Sequence, residues 1–310
     1  MSLKVFFLFL FFMKTFFSLL SRIEKSVFVL KGSLIMNWQC GNKTLELTRP
    51  YIMGILNVTP DSFSDGGEHQ GLVAAVEHAK KMVAEGADII DVGGESTRPG
   101  AADVSVEEEV KRVVPVVKAL VELGMTVSVD TSKAEVMKES IKSGAHIIND
   151  IRALREPGAL EVVAQSNVGV CLMHMQGQPR TMQVAPHYED LIAEVEAFLM
   201  ERARVCEEMG IARERICLDY GFGFGKTVEQ NFKLLANTNH FVQLPYPHLV
   251  GLSRKSSLGA VTGRETKDRL VASVTGALLA AQGGAQIIRV HDVAATKDAF
   301  TIWSNTVNAK

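Results

Sequence analysis

In this 310-residue chain, polar side chains repeatedly stand directly after short apolar runs. Asn57 follows residues 51–56, Asp130 follows Val127-Ser128-Val129, and Asn149 follows Ile147-Ile148. His174 follows residues 170–173, Asp219 follows residues 216–218, and Ser253-Arg254-Lys255 follows residues 249–252. Arg289 and His291 flank Val290 after Ile287-Ile288, and Glu95-Ser96-Thr97-Arg98 comes shortly after Asp91. The chemistry sorts into two groups. Asp130, Asn149 and Asp219 are short acceptors and amides that can take the paired N–H donors of a guanidine-like heterocycle edge. Arg98, Arg254, Lys255, Arg289 and His291 suit a diphosphate, with Asn57 available as an oxygen ligand for Mg²⁺. Any one of these acids, taken alone, is more often a helix cap than a ligand. Arg289 and His291 read blandly as a surface salt bridge, but their place at the end of an apolar strand weakens that reading.

Two features lead elsewhere and are set aside. Residues 221–227, Gly-Phe-Gly-Phe-Gly-Lys-Thr, end like a phosphate-binding loop, but the motif needs glycine where Tyr220 stands. The segment reads as a loop between a strand and a helix. His174 has no second histidine at ligand spacing, so a packed or hydrogen-bonded imidazole is expected there.

The elements that must position these groups follow from pattern. Gly86-Ala-Asp-Ile-Ile-Asp91 recurs as Gly144-Ala-His-Ile-Ile-Asn149 and as Gly284-Ala-Gln-Ile-Ile-Arg289. Each copy is a glycine helix stop, a strand core and a polar end, which argues for a repeated βα unit. Eight candidate strands alternate with amphipathic helices, including residues 72–85, a stripe from Val106 to Val121 with Pro115 inside it, and residues 193–209. Ser105 with Glu108, and Ser132 with Glu135, have capping-box spacing. Eight units over about 260 residues predict an α/β fold, a (β/α)₈ TIM barrel, whose strand C-termini share one rim. A doubly wound sheet normally has fewer strands, and when it binds nucleotides it carries a glycine fingerprint after the first, where this chain has Asn57-Val-Thr-Pro60. A turn signal at residues 40–43 predicts a short N-terminal β-hairpin ahead of the barrel.

Composition sets the bounds. The chain is 47% hydrophobic with net charge −2, enough for a large core and no general affinity for nucleic acid or an anionic membrane. Cys40, Cys171, Cys206 and Cys217 show no metal spacing, and a reducing, cytoplasmic location fits.

Residues 54–67, 91–101, 128–133, 146–151, 171–177, 218–227, 251–256 and 287–293 read GILNVTPDSFSDGG, DVGGESTRPGA, SVDTSK, HIINDI, CLMHMQG, LDYGFGFGKT, GLSRKS and IIRVHDV. In kind and order they resemble the dihydropteroate synthase family in its proteobacterial form, from about Trp38 to the C-terminus. The resemblance implies a (β/α)₈ barrel, usually a homodimer. It implies condensation of a dihydropterin diphosphate with 4-aminobenzoate. Asn57 would bind Mg²⁺. Asp130, Asn149, Asp219 and Lys255 would hold the pterin, and Thr97, Arg289, Val290 and His291 would contact the pterin diphosphate. Phe63, Arg98, Pro99, Phe224 and Ser253, with Asp65, would close over 4-aminobenzoate, where sulfonamides act as mimics. Asp130, Lys255, Arg289 and His291 would carry the catalysis. The family usually reads Leu-Asp-Pro-Gly where this chain has Leu218-Asp219-Tyr220-Gly221, a change expected to loosen the turn. A methyltetrahydrofolate-binding methyltransferase would share the pterin contacts but needs no diphosphate cluster. A non-catalytic, membrane-tethered pterin-binding protein is the rival of another class.

Residues 1–35 have no counterpart in that resemblance. Eight of the fifteen Phe lie in residues 1–30, and Lys14 interrupts the apolar run. A charge at mid-span costs about 2.5–3.5 kcal/mol, so a stable membrane helix is disfavoured. The expected division is residues 1–35 as an apolar extension outside the native start, and residues 36–310 as the barrel domain. A chain begun at Met36 is expected to be soluble, folded and at least as active as the longer one. Sedimentation and a turnover assay on both chains check this, and an insoluble or inactive shorter chain contradicts it.

Overall fold

The computed structural model describes residues 36–58, 67–95, 104–177, 182 and 185–309. The expected N-terminal extension, residues 1–35, lies outside them. A two-stranded antiparallel hairpin comes first, β1 (Asn37–Cys40) and β2 (Lys43–Glu46). The barrel strands are β3 (Tyr51–Asn57), β4 (Ile89–Gly93), β5 (Val127–Asp130), β6 (Ile147–Asp150), β7 (Gly169–Met173), β8 (Ile216–Asp219), β9 (His248–Gly251) and β10 (Ile287–Val290). All neighbouring pairs are parallel, and β10 pairs with β3 to close the ring. Between them run α1 (Gly67–Ala84), α2 (Val106–Glu122), α3 (Ala134–Lys142), α4 (Ala159–Ala164) and α5 (Leu191–Glu208). They are followed by α6 (Val228–Ala236), α7 (Thr238–Phe241), α8 (Ser256–Thr262), α9 (Leu270–Gln282) and α10 (Val293–Asn308). The predicted barrel and hairpin are both present.

The repeated joint has a physical basis. Gly86, Gly144 and Gly284 all have positive φ, between 93° and 106°. Each glycine N–H bonds three residues back, and the next alanine N–H bonds five back: Gly86 to Val83 and Ala87 to Met82, Gly144 to Ile141 and Ala145 to Ser140, Gly284 to Ala281 and Ala285 to Ala280. This is the Schellman ending, which needs a left-handed residue and so favours glycine. The next N–H in each copy, from Asp88, His146 and Gln286, donates to the neighbouring strand at Ile52, Val127 and His248. One five-residue pattern therefore stops a helix and enters the barrel at a fixed register, which fixes the level at which Asp91, Asn149 and Arg289 emerge.

Two local expectations are corrected. Ser105 does cap α2, through Glu108 N, but the Glu108 side chain pairs with Arg112. Ser132 does not cap α3; its hydroxyl donates to Asp150 at 2.5 Å, and Lys133 takes the cap position. Asp150 is fully buried and also accepts from the N–H groups of Arg152 and Leu154, so a buried carboxylate outcompetes a helix end that water can satisfy. The full capping box lies at Thr227 and Gln230, opening α6. Helix α2 runs without interruption through Pro115.

The hairpin covers the end of the barrel opposite the strand C-termini. Trp38 is fully buried and donates from Nε1 to Arg215 O at 2.9 Å, just before β8. Gly169, the first residue of β7, admits Cys40 so closely that an added Cβ would lie 2.9 Å from its Sγ. Trp38→Ala is expected to cost about 3–5 kcal/mol, as for other buried large-to-small changes. Urea unfolding measures it, and a loss under about 1 kcal/mol would make the hairpin an ornament rather than part of the core.

Candidate active site

The three joints bring their last residues together on the rim. Arg289 donates from Nε to Asp91 Oδ2 at 2.6 Å and from Nη2 to Asp130 Oδ2 at 2.7 Å. Asn149 Nδ2 donates to the same Asp91 oxygen at 3.2 Å. Asp91 is 0% exposed and the Arg289 side chain 20%. Burial works against the Arg289 charge, but the two carboxylates outweigh it and hold its pKa above the usual arginine value. Burial pushes Asp130 up to about 7, with Arg289 pulling it back down. Gly93 lies between Asp130 and Asn57, the exposed last residue of β3. A Cβ there would come within 3.6 Å of Asp130 Cβ and 3.9 Å of Asn57 Oδ1.

A second group forms at the end of β8. Asp219 is buried, which raises its pKa against the pull of Lys255, and its Oδ1 accepts Gly221 N–H at 2.7 Å. Gly221 has φ +69°, and an added Cβ would lie 1.9 Å from His174 O, so the turn accepts no other residue. Tyr220 does not loosen this turn. Its side chain is fully buried, its ring lies 5.3 Å from that of Phe241, and its hydroxyl is 3.2 Å from Thr238 Oγ1. The Thr238 hydroxyl donates to Leu235 O, so the phenol is the donor in that contact. Lys226, the lysine of the loop that resembled a phosphate cradle, is internal: its Nζ donates to Gly221 O at 2.9 Å and Phe224 O at 2.8 Å, and lies 3.0 Å from His174 Nδ1. His174 is therefore a hydrogen-bonded core histidine, as expected, with its pKa lowered to about 2 by burial and then by Lys226.

Lys255 Nζ donates to Phe222 O and stands 4.5 Å over the Phe224 ring. Burial lowers its pKa to about 8, against the pull of Asp219. Phe224 packs with Ile151, Met173, Met175 and Met182 in an apolar cluster separate from the main core, a surface suited to a flat ring. Ser253 Oγ accepts the His291 N–H at 3.2 Å and lies 3.1 Å from its Nδ1, which joins the rims of β9 and β10. Arg254, expected to serve an anion, is paired within the protein. It adopts φ +59° and gives both Nε and Nη2 to Asp292, at 3.1 and 2.5 Å. The Val290 side chain belongs to the main core, 2% exposed, which leaves only its backbone for a ligand. Phe63, Asp65, Thr97, Arg98 and Pro99 lie outside the described residues. The flanks of the second loop are tied together: Lys133 Nζ donates to Glu95 Oε2 at 2.7 Å, Glu109 Oε2 at 2.5 Å and Val104 O at 2.8 Å.

The sequence reading missed Asp91, Lys226 and Lys133 as parts of the site. For Asp91 a signal existed, since it holds the same place in its repeat as Asn149 and Arg289. The methionines and Ile151 gave none, because strand interiors and ring platforms use the same residue types.

A closed (β/α)₈ barrel whose rim joins buried carboxylates and an amide to a guanidinium, an imidazole and an ammonium is an enzyme for a polar heterocycle bearing an anionic group. The sequence profile described as "Pterin binding enzyme" matches residues 53–291, and the chain belongs to that family. It is 56% identical over 268 residues to the dihydropteroate synthase of Escherichia coli strain K12, covering 86% of this chain and 95% of that protein. The fold is similar to Yersinia pestis dihydropteroate synthase in a sulfonamide drug complex, with a TM-score of 0.84 and 51% identity over 88% of this chain and 100% of that one. It is also similar to Burkholderia cenocepacia dihydropteroate synthase complexed with 7,8-dihydropteroate, with a TM-score of 0.81 and 46% identity over 90% and 99% of the two chains.

The two shifted groups define a pH window. Loss of the Asp130 proton as pH rises through about 7 is expected to raise kcat/KM, as for an acceptor that works as a carboxylate. Above about 8, Lys255 loses its charge and the rate falls. A bell-shaped kcat/KM profile is expected, with its acid limb absent in Asp130→Asn. An unchanged acid limb in a folded Asp130→Asn variant would assign the limb to another group.

Proposed function

We propose that the chain is a dihydropteroate synthase, condensing (7,8-dihydropterin-6-yl)methyl diphosphate with 4-aminobenzoate to give 7,8-dihydropteroate and pyrophosphate in folate biosynthesis. The observation that carries this is Arg289, which donates to the heterocycle acceptor Asp130 and stands two residues before His291 at the same end of β10. A methyltransferase acting on methyltetrahydrofolate has no use for that anion subsite, and a non-catalytic tether has no use for either half. The curated relatives and solved neighbours named above are dihydropteroate synthases.

Asp130, Asn149 and Asp219 receive the N–H donors of the pterin edge, and the apolar cluster around Phe224 takes the ring face of 4-aminobenzoate. The C–O bond to the diphosphate breaks with its electron pair leaving on pyrophosphate, whose charge Arg289 and His291 hold. The dihydropterin ring delocalises the cation left behind, and the Asp130 carboxylate stabilises it. The amine lone pair of 4-aminobenzoate then forms the new C–N bond, and its surplus proton is released. Exclusion of water protects the cation from hydrolysis.

Mg²⁺ fits this donor set. Among the described residues there is no group of three or more His, Cys, Asp or Glu that could hold a metal, but Mg²⁺ commonly takes one or two protein oxygens and completes its shell with substrate phosphates and water. Asn57 Oδ1 would be the protein oxygen, and the ion would neutralise charge on the leaving diphosphate.

The same reading makes the enzyme a cytoplasmic homodimer and a sulfonamide target. Four free, buried cysteines support a reducing compartment. Among the described residues no helix is long and apolar enough to cross a membrane. Exposed Val261 on α8, Val271 and Leu279 on α9, and Ile302 on α10 support self-association.

Purified protein should release pyrophosphate only when both the pterin diphosphate and 4-aminobenzoate are supplied, with Asn57→Ala raising the Mg²⁺ concentration needed for half-maximal rate. Pyrophosphate release that ignores 4-aminobenzoate, or no release with both substrates, would overturn the assignment.

A further inference from the structure

Asp91 is a fully buried acid at the rim, and it is placed to act without meeting substrate. It is 0% exposed, yet its Oδ2 receives two side chains that the site uses, Arg289 through Nε and Asn149 through Nδ2. Arg289 is thereby held at one edge of its guanidinium, while the Nη2 at its other side lies on Asp130. Asp130 is also the acceptor that the pterin edge needs. A pterin edge that donates to Asp130 meets a carboxylate whose Oδ2 already accepts Arg289 Nη2, so a donor to that oxygen must share it with the guanidinium. The guanidinium cannot leave the site when that happens, because Nε remains on a buried carboxylate at 2.6 Å. A turn about that contact frees Nη2 for another acceptor, and the proposed substrate brings one in the anionic group attached to the pterin.

We infer that Asp91 is a positioning residue, the pivot on which Arg289 exchanges Asp130 for the substrate's diphosphate, so that heterocycle and anion bind interdependently. The Arg289–Asp130 contact is part of the device. Arg289 screens Asp130 from Asp91, since two carboxylates sharing a buried site repel each other. Filling Asp130 with the pterin edge releases the guanidinium toward the anion, and the anion in turn removes the competitor from Asp130. The coupling is reciprocal by thermodynamic necessity.

This rests on the reading that the site holds a pterin and a diphosphate, and calorimetry with two separate probes keeps the two apart. The probes are inorganic pyrophosphate and a 6-hydroxymethyl pterin that lacks the diphosphate. If neither probe binds the unaltered enzyme, the functional reading fails. If both bind, pyrophosphate is expected to bind about 5-fold or more tightly when the pterin is present, within the usual range of coupling between sites. That measurement needs no variant. Equal pyrophosphate affinity with and without the pterin overturns the pivot. Variants then assign it to Asp91. Arg289→Ala should weaken pyrophosphate by about 10-fold or more, the scale of one charge-assisted hydrogen bond. Asp91→Asn, a near-isosteric change, should abolish the coupling and weaken pyrophosphate in the native background. In the Arg289→Ala background it should change pyrophosphate affinity no further. A residue that acts only through Arg289 gives that non-additive cycle, whereas an Asp91 that merely supports the fold gives additive losses, which would overturn the assignment.

Discussion

A single guanidinium shared by two carboxylates, and buried on the rim of a closed barrel, is the constraint on which the rest of the site depends. Burial opposes the charges on Asp130 and Arg289, and their pairing offsets part of that cost. Together with Asp91 they are held by three strands that are not all neighbours, β4, β5 and β10, so the barrel must close for the cluster to exist. Closure depends on β10 pairing with β3 in register, Arg289 opposite Met53. A slip of β10 by one residue would turn Arg289 toward the helices. The chemistry and the topology are therefore one condition. Nothing smaller than the whole ring assembles the charge balance.

The remaining tethers set how the loops present themselves to that centre. Lys226 ties the β8 loop to His174 beyond β7, Ser253 ties the β9 rim to His291 beyond β10, and Lys133 ties both flanks of the β4 loop to the start of α3. Each tie uses a polar group buried between adjacent βα units. Hydrogen bonds of this kind fix direction more than they add stability, because each replaces a bond to water. A rim built this way holds its acceptors at defined places before a ligand arrives, which lowers the ordering cost of binding.

Much of this was legible in the sequence because the helix-to-strand joint is written locally. Glycine at positive φ, alanine, an inward polar residue and Ile-Ile spell out a stop, an entry and a strand. The position of Asp130, Asn149, Asp219 and Arg289 follows from strand period, and that of Lys255 from the short turn after β9. What sequence could not carry was pairing at a distance. Arg254 has the composition of an anion ligand, yet Asp292 claims it across 38 positions of chain. Ser132 has the spacing of a cap, yet buried Asp150 has the stronger need. Asp91 was readable as a member of the repeat but not as a partner of Arg289, since a buried acid reveals its partner only when the barrel closes.

Tyr220 stands where the resembled family has proline, and the consequence concerns what can vary together. Proline stiffens a turn through its own covalent ring and needs no help from elsewhere. Tyr220 stiffens the same turn through the Phe241 ring and the Thr238 hydroxyl, both on α7. The orientation of Asp219 has thus become the property of a helix away from the rim. Tyr220, Thr238 and Phe241 are packed as one group, and a change at any of them alters the support of the turn that follows Asp219.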